Sequence, residues 1–261
     1  AKIARIKRTY RYATEADHKT FDAYVTKEHL KLTHMFYQSC FMHDKTLRNY
    51  SKRTLKNRCK TREGDKYVVH GTRMSGDVDT SLGNSLINYA VIMGVLHDLG
   101  LKGEAIVNGD DSIIFTNEPL NLQMATQRFS SYGFVTDIKP SVEKLEDVEF
   151  CRCKVVINND GRCTMLMNPK RLHDIYGMTY KQLSNYQEYL LEVLVAYCII
   201  NKNTSLGGFY TELYKRATYG REPDHEMQFK HLDRSLLRNV VKQRELVADS
   251  SRVINNSMLW A

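Results

Sequence analysis

The stretch Ala105-Ile-Val-Asn-Gly-Asp-Asp-Ser-Ile-Ile-Phe115 sets two short apolar runs on either side of a turn rich in Asn, Gly and Asp. Such a pattern predicts a β-hairpin, with Asp110 and Asp111 at or beside its tip. Adjacent carboxylates repel each other, so placing them together gains most where a cation is shared. Mg²⁺ is a hard ion that takes a few carboxylates together with substrate phosphate oxygens. Asp and Gly also favour turns for conformational reasons alone. Taken by itself, Gly109-Asp110-Asp111 reads as a polar turn first and a cation site second.

Working outward, residues 10–17 (Tyr-Arg-Tyr-Ala-Thr-Glu-Ala-Asp) have strand-like content and end on Asp17, with Asp22 five residues later. Two strands ending in acids, Asp17 and Asp110, can lie side by side and form one two-metal site. A turn or helix-entry acid is the plainer reading of Asp17. Between these segments stands Ser75-Gly-Asp-Val-Asp-Thr-Ser-Leu-Gly-Asn84, at the start of a helix predicted over 79–99 and stopped by Gly100. Thr80, Asn84 and Asn88 recur every four residues and form one polar stripe. Leu82, Leu86, Ala90, Met93 and Leu96 are expected on the opposite, core-facing stripe. Gly76 and Gly83 leave room for backbone or ligand to come close. Ser, Asp and Thr crowd any helix start. That explains Asp79 or Thr80 but not Asn84, whose propensity inside a helix is poor. A polar stripe beside a metal site suits the reading of ribose hydroxyls.

The remaining pattern predicts an α+β half followed by a mostly helical part, with the break near Pro169. Helices are expected over Val25–Phe41, with Val25, Leu32, Phe36 and Cys40 inward, and from Pro119 to Gly133, with Leu120, Met124 and Phe129 inside. Strands are expected at 67–69 and 134–138, and a second hairpin from Val148 to about Leu166, turning at Asn158-Asn159-Asp160-Gly161. From Tyr180 to about Val247 the pattern is mostly helical.

The chain has 261 residues, 38 Lys/Arg and 30 Asp/Glu, a formal charge of +8. Between Lys27 and Arg73 stand 12 basic and 4 acidic residues, and the rest balances at 26 of each. One 47-residue segment therefore carries the whole excess, which suits a polyanion, nucleic acid ahead of a membrane surface, or else a solvated loop. The longest apolar stretch, Leu190 to Ile200, is 11 residues broken by Glu192, short of the ~20 a membrane span needs. No signal-peptide pattern opens the chain. Its first residue is Ala, which leads us to expect a piece of something longer. The six cysteines show no disulfide framework and suit a reducing compartment. Cys151, Cys153, Cys163 and His173 can be imagined as zinc ligands, but Cys-x-Cys in an apolar strand more often marks its two faces.

Together these segments are more specific than any one of them. The order Asp-x4-Asp, Ser-Gly-x3-Thr-x3-Asn, Gly-Asp-Asp resembles motifs A, B and C of viral RNA-dependent RNA polymerases. The strings Thr72-Arg-Met-Ser-Gly-Asp-Val-Asp-Thr-Ser-Leu-Gly-Asn84 and Val107-Asn-Gly-Asp-Asp111 are most similar to the tombusvirus-like group of positive-strand RNA viruses. Glu149-Phe-Cys-Arg152 resembles that group's motif E, a primer-gripping hairpin. The resemblance covers about residues 10 to 155.

It implies a polymerase palm, an antiparallel sheet with flanking helices, formed by 1–26 and 71–168. A basic, partial fingers insert would lie at 27–70 and a mostly helical thumb at 169–261. It implies that Asp17 and Asp110 bind two Mg²⁺ ions, with Mn²⁺ able to substitute, and that Asp111 is a third acid nearer the edge. Asp22, Ser75 and Asn84, supported by Thr80 and Gly76, would recognise the ribose 2′-hydroxyl of an incoming NTP. A carboxylate at Asp22 can accept from Ser75 or Asn84 and orient them. Reverse transcriptases, the nearest enzymatic rival, carry a bulky side chain there. A catalytically dead RNA-binding relative is the rival of another class, and the intact acids argue against it. Lys139, with Lys144 competing, would stand near the leaving pyrophosphate as general acid. The implied partners are an RNA template, a primer or product strand, NTPs, and viral or host replication factors. The implied place is the host cytoplasm, at membrane-bound replication complexes reached through parts outside this chain. Nine residues before Tyr10 are too few for the rest of the fingers.

Overall fold

The structure is a computed structural model that describes residues 2–157, 163–202, 204–233, 236–237 and 240–241. The chain forms two compact units, residues 1–151 and 152–261. Both combine helices with antiparallel strands, as the α+β expectation requires.

The first unit is built on a four-stranded antiparallel sheet. After helix α1 (Lys2–Thr9), which buries Ala4 and Ile6, come strand β1 (Tyr12–His18) and a short helix α2 (Phe21–Tyr24). Helices α3 (Lys27–Cys40) and α4 (Lys45–Arg53) lead to the hairpin β2 (Lys56–Lys60) and β3 (Lys66–His70). Helix α5 (Thr80–Asp98) precedes β4 (Gly103–Asn108) and β5 (Asp111–Thr116). Helix α6 (Leu122–Ser131), β6 (Thr136–Ile138) and β7 (Glu149–Phe150) complete the unit. The order across the sheet is β4-β5-β1-β6. Ile87, Val91, Ile92, Val95 and Leu96 of α5 share one buried cluster with Ala16, Ala105, Ile114, Phe129 and Leu30. Phe21 and Phe134 stack at 4.7 Å within it.

The predicted strands and the two long helices are present, but two helix faces differ from expectation. In α3 the buried residues are Leu30, Thr33 and Gln38, while Leu32 and Phe36 are exposed. The inner face is set by polar bonds as well as by apolar area. His34 Nε2 lies 3.1 Å from Thr54 Oγ1, and Tyr37 donates to Asp79 at 3.1 Å. In α5 the buried stripe runs Gly83, Asn84, Ile87, Asn88, Val91, Ile92, Val95 and Leu96. The asparagines therefore share the inward stripe with the core residues, whereas Leu82 and Ala90 face solvent. That helix is apolar around most of its circumference, so periodicity gave little contrast. Helix α6 is capped by the Asn121 side chain rather than begun at Pro119, and Met124 is exposed. Helix α4 and strand β2 occupy the basic stretch, where charge hid any periodicity.

The second unit opens with the hairpin β8 (Cys153–Ile157) and β9 (Cys163–Met167), whose expected turn at 158–161 lies outside the described residues. Met167 packs on the core of the helices that follow. Helices α7 (Pro169–Asp174), α8 (Tyr186–Ile200) and α9 (Ser205–Ala217) enclose a second core of Val193, Leu194, Ala196, Tyr197 and Tyr210. Residues 218–233 are irregular instead of helical. Among the described residues no helix is long and apolar enough to cross a membrane.

Within the apolar run of α8, Glu192 is 2% exposed. Its carboxylate accepts from the backbone N–H groups of Lys230 (3.0 Å) and His231 (2.9 Å), and its Oε1 lies 3.0 Å from His231 Nδ1. This clamp ties the irregular segment to the helix. Glu192→Leu keeps the volume but strips these donors of their acceptor. The midpoint of chemical denaturation should fall by the equivalent of about 3 kcal/mol, since each buried unmade bond costs roughly 1–3.

Candidate active site

The antiparallel register places the acids. Ala16 on β1 pairs with Ser112 on β5, so Asp17, one residue on, comes level with Asp111 at the same end of the sheet. On β4 and β5, Asn108 pairs with Asp111, leaving Gly109 and Asp110 as the two-residue turn. Gly109, with φ of 67°, takes the first central position, where a hairpin turn of this kind favours glycine. Asp17 and Asp110 are exposed and Asp111 is half-buried. A cleft of about 620 Å³ opens beside them, lined by Thr20, Asp22, Thr80, Asn84, Gly109, Asp110 and Asp111 among others. Asp17 stands next to this cleft and is not part of its lining.

Helix α5 holds the acid-bearing turn from behind. Asn88, fully buried, donates from Nδ2 to the carbonyls of Gly109 and Asp110, both at 3.0 Å, and Ser85 Oγ accepts from Gly109 N–H at 2.8 Å. Because the Asn88 amide nitrogen faces carbonyls, its Oδ1 must accept from His18 Nε2 at 3.0 Å. His18 Nδ1 lies 2.8 Å from Thr136 Oγ1, whose hydroxyl can donate to it. Burial pushes the His18 pKa below its ordinary value, against the opposing pull of its Asn88 hydrogen bond and of Asp17 and Asp110. The sequence singled out Asn88 as part of a ribose-facing stripe. It is instead a brace, turned inward because three buried groups need its amide.

The other half of the cleft is a hydrogen-bonded set around Asp22. Thr20, in the left-handed region at φ 48°, turns the chain from β1 into α2, and Asp22 follows on that helix. The Asp22 carboxylate accepts from Ser75 Oγ and, at 2.7 Å, from Asn84 Nδ2. These three residues were paired from sequence, and the structure brings them together. The Thr80 hydroxyl points at the carbonyl oxygens of Asp77 (2.8 Å) and Met74 (3.1 Å), shaping the loop that carries Ser75. Gly76, with φ of 107°, lies exposed in that loop. Sequence reasoning missed Arg73, Asp79 and Tyr37, which back Asn84 from the protein side.

Lys139 is exposed at the end of β6, opposite β1, where Asp17 pairs with Asp137. Its Nζ donates to Asp137 at 3.1 Å, and that bond raises its pKa. Lys144 is exposed and stands just before a short 3-10 turn at Leu145–Asp147. The segment resembling motif E begins beside the acids. Glu149 N–H donates to Glu15, and Cys151 Sγ accepts from Asn108 Nδ2 at 3.1 Å. Cys151 is a free thiol, and the Cys163 side chain lies outside the described residues. His173 packs on the rings of Phe209 and Tyr210, which is the environment of a core histidine.

Asp17, Asp110 and Asp111 supply oxygen donors only, the donor class that Mg²⁺ and Mn²⁺ take, and Asp110 and Asp111 line the open cleft. The residues fit such ions. They are not drawn into one knot: among the described residues, the group of three ligand-type side chains within 4.8 Å is Glu188, Glu192 and His231. In that group both oxygens of Glu192 are already occupied by Lys230 and His231.

The brace yields a test. Asn88→Ala leaves two turn carbonyls and His18 unpaired, so the chain should lose about 2 kcal/mol of stability by denaturation and bind Mn²⁺ more weakly. Unchanged stability and unchanged Mn²⁺ affinity would contradict the role given to Asn88.

The family described as viral RNA dependent RNA polymerase matches residues 12–256. The putative RNA-directed RNA polymerase of barley yellow dwarf virus (isolate PAV) is 32% identical over 216 residues, 79% of this chain and 25% of the relative. The RNA-directed RNA polymerase of melon necrotic spot virus is 30% identical over 159 residues, 59% of this chain and 20% of the relative. That of red clover necrotic mosaic virus is 32% identical over 148 residues, 54% of this chain and 19% of the relative. The chain thus spans about a quarter or a fifth of the length of these relatives. With the family match running through nearly the whole chain, and with tombusvirus-like polymerases among its relatives, the chain belongs to the viral RNA-dependent RNA polymerases.

Proposed function

We propose that the chain is the catalytic portion of a larger RNA-directed RNA polymerase and adds nucleoside monophosphates from NTPs to an RNA 3′ end under template direction. The observation that carries this reading is one cleft bordered by both Asp110-Asp111 and the Asp22–Asn84 pair. One set suits phosphate-bound cations and the other a sugar hydroxyl.

In this reading the 3′-hydroxyl oxygen attacks the α-phosphorus of the NTP. The new P–O bond forms as the α–β bridge bond breaks, and pyrophosphate leaves. Asp17 and Asp110 would hold two Mg²⁺ ions, with Asp111 at the edge. Ions bound there supply activation of the attacking hydroxyl and neutralisation of the leaving group. The chain's own residues position and exclude. Ser75 Oγ, its proton committed to Asp22, is free to accept from a ribose 2′-hydroxyl, and the second Nδ2 proton of Asn84 can be donated to it. A 2′-deoxy substrate leaves both unpaired, a loss of roughly 1–3 kcal/mol. Lys139, bonded to Asp137 across the sheet from Asp17, takes the role of proton donor to pyrophosphate ahead of Lys144.

Residues 1–26 and 71–168 take the part of the palm, 27–70 that of a fingers insert, and 169–261 that of the thumb. Within the insert, cross-strand pairing puts Lys56, Arg58, Lys60 and Lys66 on one exposed face of the β2–β3 hairpin. None of them has an acidic partner among the described residues, so their charge is available to template or product phosphates. Such contacts carry no sequence information and weaken with salt.

Two measurements test the reading in the polymerase that carries this segment. Asp110→Ala should abolish Mg²⁺-dependent primer extension while RNA binding survives; extension at the wild-type rate would refute the metal assignment. Replacing Lys56, Arg58 and Lys60 with Gln should flatten the salt dependence of single-stranded RNA binding by a slope of about 2, at ~0.7 per phosphate contact. An unchanged slope would remove the hairpin from the RNA path.

A further inference from the structure

The Asp22 set does not stand by itself. Behind it lies Arg73, whose side chain is fully buried. Its Nε donates to Asn84 Oδ1 at 3.1 Å and its Nη1 to Asp79 Oδ1 at 2.9 Å. The other Asp79 oxygen accepts from the Tyr37 hydroxyl at 3.1 Å, and Tyr37 belongs to α3 of the basic insert. The backbone follows the same path, since Arg73 N–H donates to the Asp22 carbonyl at 2.9 Å and Thr72 N–H to the Val25 carbonyl at 2.7 Å.

Three features separate this arrangement from an ordinary buried ion pair. An amide has one acceptor end and one donor end, so a guanidinium fixed on Asn84 Oδ1 obliges Nδ2 to face Asp22 and the cleft. Asp79 is the residue before α5 but makes no capping bond to it, so its carboxylate serves Arg73 and Tyr37 instead of the helix end. Gly83 is the space the guanidinium fills: a Cβ there would come within 2.2 Å of Arg73 Nη2. Nη2 itself has no hydrogen-bond partner in the structure, an unmet donor that a well-packed interior rarely keeps. The guanidinium stays because two of its other nitrogens are held by Asn84 and Asp79.

We propose that Arg73 is a positioning residue for sugar selection. It locks the Asn84 amide in its ribose-reading orientation, and through Asp79 and Tyr37 it makes helix α3 part of the same rigid unit. The inference rests on Asp22, Ser75 and Asn84 being the ribose-reading set. It adds that selectivity is held from the insert side, by residues that touch no substrate. A loosened Arg73 lets the Asn84 amide rotate, so the bond made only to a 2′-hydroxyl weakens while base pairing and phosphate contacts persist. NTP use then falls towards the level of dNTP use.

The test is the ratio of kcat/KM for an NTP to that for the matching 2′-dNTP on an RNA primer-template, in the polymerase that carries this segment. Thermal melting reports folding alongside. Arg73→Lys removes the Nε donor, and Gly83→Ala displaces the guanidinium without touching a functional group. Both should lower the ratio by about tenfold, the equivalent of one lost hydrogen bond of ~1.4 kcal/mol, and Tyr37→Phe by about threefold. Asn84→Ala is the reference and should lower it at least as far. A purely structural role for Arg73 would slow both substrates alike and leave the ratio at the wild-type value. A wild-type ratio in Arg73→Lys and Gly83→Ala, with a lowered ratio in Asn84→Ala, overturns the inference and leaves the ribose reading intact. A wild-type ratio in Asn84→Ala overturns both. Should Arg73→Lys not fold, Gly83→Ala and Tyr37→Phe decide the matter by the same criteria.

Discussion

The register of β1 against β5 is the constraint on which the site depends. With Ala16 opposite Ser112, Asp17 leaves the sheet on its exposed side and His18 points into the core. Side chains alternate along a strand, so a slip of one residue would exchange the two, burying a carboxylate and exposing the imidazole. The same pairing brings Asp17 level with Asp111 and lets His18 reach Asn88, which grips the turn carrying Asp110. One ladder of backbone bonds therefore decides both where the acids stand and what holds them from behind.

The site is otherwise an exercise in satisfying buried polar groups. His18, Asn88 and Asn84 are all buried, and each is held by hydrogen bonds at both polar ends of its side chain. Groups matched in this way are rigid, because any rotation leaves a bond unmade in a low-dielectric interior. Rigidity is useful where reacting groups must be aimed before substrate arrives. Helix α5 supplies the aim for both halves of the cleft, through Asn88 and Ser85 on the side of Asp110 and Asn84 on the side of Asp22.

Much of this was legible in the sequence, for identifiable reasons. The hairpin around Gly109 is a local signal, and Asp17, Asp22, Ser75 and Asn84 were found because their order and spacing resemble a family's motifs. What escaped notice was of another kind. The buried face of α5 differs from the expectation because Asn84 and Asn88 look like solvent-facing residues, whereas Asn84 serves Arg73 and Asp22 and Asn88 serves His18 and the turn carbonyls. Helix α3 was rotated in the reading because Leu32 and Phe36 outweigh Thr33 and His34 on any hydrophobic count. Arg73 enters the sequence reading as one charge of a basic run and as part of the Thr72–Asn84 string, with no role of its own. Its partners stand at positions 79, 84 and, through Asp79, 37, separations that carry no periodic signature.

The central claim is that the three aspartates and the Asp22 set belong to one nucleotidyl-transfer site. A diffraction structure of the polymerase with RNA primer-template, Mg²⁺ and a non-hydrolysable NTP tests it most directly. Metal density is expected between the Asp17 and Asp110 carboxylates, with the ribose 2′-oxygen within hydrogen-bond distance of Ser75 Oγ or Asn84 Nδ2. A triphosphate bound away from Asp110, or a ribose that leaves Ser75 and Asn84 untouched, would contradict it.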